Sequence, residues 1–133
     1  MLAKRLAEAI SLAGKVRQLF VSTADINGVP HMTIADHLFC IDDYTVEITA
    51  WFCTRTAKNV DENPHLSLVV WNEEKDLGFQ IIGEVTQILD LAMLNGLTSK
   101  EIQPIPQIER KLIVKVSQVL SFGRATHIDT NLL

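Results

Sequence analysis

The dipeptide Asn27-Gly28, inside "QLFVSTADINGVPHMTIAD", is the strongest constraint on how this chain folds. Both positions tolerate positive φ, so the pair marks a tight turn between two antiparallel strands. The flanks agree: Leu19, Phe20 and Val21 precede it, and Met32, Thr33 and Ile34 follow. Those are apolar and β-branched residues that suit a half-buried pleated surface. A second hairpin is predicted across "HLFCIDDYTVEITAWF", with Asp42-Asp43 at its turn. "HLSLVVW" reads as a strand that starts after the break at Asn63-Pro64. "FQIIGEVTQIL" reads as a long strand in which Gly83 marks a bulge or a close backbone approach. "LDLAMLNGL" is expected to form a short helix ending near Gly96, and the proline-bearing "TSKEIQPIPQIER" a loop. The last strand is "KLIVKVSQVLSF", with Leu112, Val114 and Val116 on one side. About six strands joined by short turns predict a mainly β fold: an antiparallel sheet closed into a small barrel with short flanking α-helices.

The first stretch is different. In "MLAKRLAEAISLAGKVRQLF", Leu2, Leu6, Ile10, Ala13 and Val16 recur at helical spacing, while Lys4, Arg5, Glu8 and Ser11 fall elsewhere. This predicts an amphipathic helix over residues 1–18, packed on a single domain that spans residues 1–133. Glu8, Lys15 and Arg17 interrupt any signal-peptide core. No run approaches the roughly 18–20 apolar residues of a membrane span, so a cytoplasmic protein is expected. A net charge of −4 disfavours a nucleic-acid surface. Cys40 and Cys53 form neither a CxxC pair nor a metal spacing and read as buried free thiols. His31, His37, His65 and His127 fall into no ligand motif and read as structural or surface residues, and no metal is expected. No Ser-His-acid constellation is visible.

The chemistry concentrates in "ITAWFCTRTAKNVDENPHLSLVVW". Thr54, Arg55 and Thr56 lie between two strand-like runs and open the short helix "RTAKNVDEN". A helix N-terminus leaves unpaired N–H groups and partial positive charge, which favours an anion. Thr54 is placed as its N-cap. Arg55 offers a two-pronged donor to phosphate oxygens, Thr56 a hydroxyl, and Lys58 a second cation. Spacing alone leaves two readings open: a phosphomonoester anchor, or a capped helix with solvated Arg and Lys.

The order of the pieces favours the first reading. "NGVPHMTIAD", then "ITAWFCTRTAKNVDENPHLSLVVW", then "FQIIGEV" resembles the pyridoxamine 5'-phosphate oxidase-like, FMN-binding split-barrel superfamily, over about Leu19 to Val85. The resemblance implies a six-stranded antiparallel split barrel, a homodimer and FMN at the subunit interface. It matches Thr54, Arg55 and Thr56 to the phosphate-binding segment, with Lys58 as a second cation. It matches Thr33, Ile34, Ala35 and Asp36 to the strand whose backbone lies along the isoalloxazine ring. Thr49 and Ala50 match the next flavin-lining positions, and Gln80 a glutamine that reaches the flavin. Such a layout gives a flavin an apolar plane, a few polar contacts and a cationic anchor. Trp51 and Trp71 read as barrel or interface aromatics, and Trp71, Phe79, Ile81 and Ile82 as the apolar seam between subunits. The family's oxidases carry a C-terminal segment with Arg and Trp, whereas "SFGRATHIDTNLL" has Arg124 and no Trp. Pyridoxamine phosphate is therefore not the expected substrate. An FMN-dependent oxidoreductase, a non-catalytic FMN carrier or store, and a relative that binds another ligand such as haem or a deazaflavin, or has lost its cofactor, remain the three functional readings.

Overall fold

A computed structural model describes residues 3–96 and 105–133. The order of elements is α1 (Lys4–Val16), β1 (Leu19–Ala24), β2 (Pro30–Ala35), β3 (His37–Asp42), β4 (Thr45–Cys53), α2 (Thr54–Glu62), β5 (His65–Asn72), β6 (Leu77–Gly96) and β7 (Ile105–Phe122). The strands form one antiparallel sheet in the order β2-β1-β5-β6-β7-β4-β3. The sheet curls until β2, at one end, also approaches β4. The class is as expected, and the described residues form seven strands where about six were expected.

Alternation separates an inner from an outer face. Val21, Leu68, Ile81 and Val119 stand in one register row across β1, β5, β6 and β7, and all are fully buried. Ile34, Phe20, Val69 and Gln80 form the neighbouring row on the outer face, where Ile34 is exposed. α1 closes one side of the core with Leu6, Ala9, Leu12 and Ala13; of the face expected from apolar spacing, Leu6 and Ala13 are buried, Ile10 and Val16 are half-buried against the core, and Leu2 lies outside the described residues.

The turns depart from the sequence reading in detail. Only Gly28 adopts a positive φ, of 83°. The Gly28 amide bonds the Asp25 carbonyl at 3.0 Å, and Asp25 Oδ1 accepts from the amides of Asn27 and Val29. The connection is therefore a longer turn closed by an aspartate, not a two-residue one. The second turn sits one residue later than predicted, at Asp43-Tyr44. A register shift between Cys40 and Asp42 displaces it.

The segment "LDLAMLNGL" is, as far as Gly96, a strand and not a helix; Leu97 lies outside the described residues. β6 runs through it to Gly96, paired with β7 from Asp90↔Arg110 to Gly96↔Ile105. A continuous partner strand overrides the weak local helical pattern. The predicted loop over "TSKEIQPIPQIER" falls partly outside the described residues; from Ile105 onward it is β7. Pro106 stands next to the start of β7, paired with Asn95 of β6 and before the pairing with β4 begins at Gln107. Gly83 behaves as read: the register shifts at Ile82/Gly83, and a Cβ there would lie 2.4 Å from the Lys115 carbonyl oxygen.

Candidate functional site

α2 starts where β4 ends, with no linker. Cys53 and not Thr54 occupies its N-cap position, with extended dihedrals (φ −71°, ψ 165°), and Thr54 makes no capping bond. The strand already supplies the extended residue that a cap requires, so Thr54 is drawn into the first helical position. Helical spacing then sorts the side chains. Arg55 and Lys58, three apart, are exposed on one face; Thr56, Ala57, Asn59 and Val60 are buried.

The exposed face borders a cleft of about 330 Å³ between α2 and the β1–β2 turn, lined by Asn27, Pro30, His31, Arg55, Lys58 and Glu62 among others. Two hydrogen bonds fix its walls. Asn59 Nδ2 donates to Thr23 Oγ1 at 3.1 Å, and Asn63 Nδ2 donates to the Asp25 carbonyl at 3.3 Å. Arg55 and Lys58 have no ion-pair partner among the described residues. Asp25, the acid on the opposite wall, already accepts two backbone amides. Glu62 shares the α2 wall without an ion pair to either cation among the described residues, and two cations held side by side in this way fit a phosphomonoester.

Thr56 does not belong to that wall. Its side chain is fully buried and its hydroxyl lies 3.5 Å from Cys53 Sγ. The helical turn that aims Arg55 and Lys58 outward aims Thr56 at the core.

β2 leads away from the cleft. From His31 to Asp36 it covers roughly 17 Å at strand rise. Ile34 is exposed, Thr33 half-buried and Ala35 buried, so Ala35 offers a flavin only its backbone. Asp36 lies at the far end, in a separate cavity of about 540 Å³ with Arg17 and His37. Beyond Asp36 and the buried Thr56, three more of the predicted residues lie away from the cleft. Thr49 faces outward between His37 and Lys111, and Ala50 faces inward opposite Arg110. Gln80 is on the outer face, bonded to Ser67 Oγ at 2.8 Å, three strand spacings or roughly 14 Å from Ile34.

Two features escaped the sequence reading. Arg110 is buried, and its guanidinium donates to Asp90 Oδ1 at 2.7 Å, to Asp61 Oδ1 at 3.0 Å and to the Ala57 carbonyl at 3.1 Å. It ties α2, and with it Arg55 and Lys58, to β6 and β7. The signal was present: Arg110 shares strand parity with Leu112, Val114 and Val116, the inward residues of β7. The second feature is Cys53, which is half-buried and 3.7 Å from His31 Nε2. Burial pushes its thiol up, but the Thr56 hydroxyl, the Thr56 amide and the His31 imidazole outweigh that and bring it down to about 7. The expectation of two buried thiols is corrected: Cys40 is exposed on β3, whose outer flank no further strand covers.

The family model described as pyridoxamine 5'-phosphate oxidase matches residues 4–126, and the chain belongs to that family. Solved structures share the split-barrel fold. An FMN-binding protein from Syntrophomonas wolfei subsp. wolfei is similar at TM-score 0.69 and 19% identity, over 92% of this chain and 89% of that one. A Clostridium acetobutylicum protein related to general stress protein 26 gives TM-score 0.66 at 16% identity, over 97% and 95%. HutZ, a haem storage protein from Vibrio cholerae, gives 0.55 at 12% identity, over 92% and 98%. At these identities the likeness concerns the fold alone. No curated protein matches the sequence. No helix among the described residues is long and apolar enough to cross a membrane.

Proposed function

We propose that this protein binds FMN, with the phosphate in the α2 cleft, and uses it as an oxidoreductase on a substrate other than pyridoxamine phosphate. The observation that carries the reading is the pair Arg55 and Lys58: two cations with no carboxylate partner among the described residues, on one wall of a cleft built from α2 and the β1–β2 turn. The flavin supplies the redox chemistry when bound. The chain binds and orients: Arg55 and Lys58 neutralise the phosphate, and the backbone of Thr33 to Asp36 offers donors and acceptors along β2.

A second copy of the chain completes the site. The outer face shows exposed Met32 and Ile34 beside partly exposed Phe20, Val69 and Trp71, an apolar surface suited to a homodimer seam. Of the four seam residues expected from sequence, Trp71 and Ile82 lie on that face. Phe79 and Ile81 point into the barrel, because they share parity with the buried row, so they cannot form the seam.

The test is the absorbance spectrum and mass of the chromophore that co-purifies, followed by FMN titration and sedimentation at micromolar concentration. Oxidised-flavin bands and a dimer are expected. Haem bands, a deazaflavin mass or a flavin-loaded monomer would contradict the reading. Reduction by NADH or NADPH with acceptor turnover distinguishes an enzyme from a carrier. Pyridoxamine phosphate should give no turnover above the free-flavin background.

A further inference from the structure

Cys53 ends β4, directly before α2, while His31 belongs to β2, which approaches β4 across the curl of the sheet. The fold thus brings together a thiol and an imidazole that are 22 residues apart in sequence, at 3.7 Å. A third group joins them from below. The Thr56 hydroxyl is fully buried and 3.5 Å from the same sulfur. His31 also lines the α2 cleft, where Arg55 and Lys58 add positive charge and Asp25 and Glu62 supply the acids. A nucleophile within reach of a base, with a donor holding the sulfur, is the arrangement that activates a cysteine.

The geometry points to a nucleophilic thiol site: Cys53, paired with His31 and held by Thr56, reacts with hydroperoxides and is oxidised to a sulfenic acid. The thiolate sulfur attacks the terminal peroxide oxygen. A sulfur–oxygen bond forms as the oxygen–oxygen bond breaks. Sulfur loses two electrons and the peroxide gains them. The leaving alkoxide or hydroxide takes a proton from the charged form of His31, so the products are Cys53 sulfenic acid, neutral His31 and an alcohol or water. This site is independent of whether the cleft holds FMN.

The fold supplies its own reference. Cys40 is exposed on β3, and its thiol donates to the Asp42 carbonyl at 3.6 Å, with no imidazole bonded to it among the described residues. A thiol that titrates near 7 is about half ionised at neutral pH, against a few per cent for an ordinary cysteine. Lower basicity reduces intrinsic nucleophilicity and returns part of that gain. The experiment treats the reduced full-length chain with hydrogen peroxide and dimedone and follows both cysteine peptides by mass spectrometry. Cys53 should be labelled roughly five- to tenfold faster than Cys40 at pH 7, with a rate midpoint near 7. His31→Asn should bring Cys53 down to the Cys40 rate and move the midpoint upward. If that variant does not fold, the wild-type rate ratio and midpoint decide alone. Cys53 labelling no faster than Cys40, or an unchanged rate and midpoint in folded His31→Asn, overturns the proposal.

Discussion

The two helices are held to the same barrel by different forces. α1 buries Leu6, Ala9, Leu12 and Ala13, an entirely apolar face. α2 buries Thr56, Ala57, Asn59 and Val60, half of them polar, and is fastened by Asn59 to Thr23 and by Arg110 to the Ala57 carbonyl and Asp61. Apolar burial is strong and non-directional, so it tolerates small shifts. Hydrogen bonds are directional and costly to leave unmade, so they specify position. α1 is therefore a stabilising element, while α2 is a positioned one. The cleft, the cations Arg55 and Lys58 and the perturbed thiol all lie at the α2 end.

The largest expected effect is on the α1 side. Leu6 is fully buried, so Leu6→Ala should cost about 2–5 kcal/mol in urea unfolding. FMN affinity of the folded fraction should not change. A loss of affinity as large as that of an α2 variant would erase the contrast between the helices.

Arg110→Met comes next. It strips α2 of two bonds and β6 of its bond to Asp90, but the carboxylates left behind are 52% and 57% exposed and can be hydrated. The cost should therefore fall below the usual penalty for breaking a buried pair, at roughly 2 kcal/mol. In contrast to Leu6→Ala, it should also weaken FMN at least threefold while riboflavin changes less, because the two cations lose their fixed platform. Unchanged FMN binding in a folded Arg110→Met protein would remove Arg110 from the account.

A smaller effect is expected from Thr23→Val, which leaves the buried Asn59 amide without its acceptor. About 1 kcal/mol is the ordinary cost, read as a shift in the urea midpoint. No shift at all would show that the Asn59 bond does not hold α2.

The smallest effect concerns pH. The folded Cys53 thiol lies at about 7, below its ordinary 9.0, so the unfolded chain binds more protons between those values. Stability from this group is present above 9.0 and is lost as pH falls through 7. The wild type should thus gain on Cys53→Ser between pH 6.5 and 8.5 in paired urea titrations. Parallel curves would mean that the thiol is unperturbed.

The parts of this fold that were legible from sequence are those fixed by short-range rules. Gly28 declared its turn because one residue there needs positive φ, and Gly83 declared its bulge because no side chain fits beside Lys115. α1 declared itself by apolar spacing. The segment before Gly96 was misread because its partner strand, and not its own residues, sets its conformation. At the candidate site, Arg55 and Lys58 were legible as neighbours on a helix face. The N-cap was read at Thr54 instead of Cys53, and Thr56 faces the core, because the position of the first helical residue decides which side chains face outward, and β4 sets that position. Cys53 and His31 come together only through the curl of the sheet, which no local pattern encodes. Arg110 could have been found, since a charge at inward strand parity demands buried partners.

The central claim is that the α2 end is a phosphate anchor, and the most direct test is a flavin-fluorescence titration of the wild type, Arg55→Ala and Arg55→Lys with FMN and with riboflavin. A charge-assisted bond is typically worth about 1.5–3 kcal/mol, so Arg55→Ala should weaken FMN roughly ten- to a hundredfold. Arg55→Lys should recover part of that loss, because the charge survives and the planar fork does not. Riboflavin, which lacks the phosphate, should bind all three proteins alike. FMN affinity untouched by Arg55→Ala, or riboflavin weakened as much as FMN, would contradict the account and leave α2 a helix with two solvated cations.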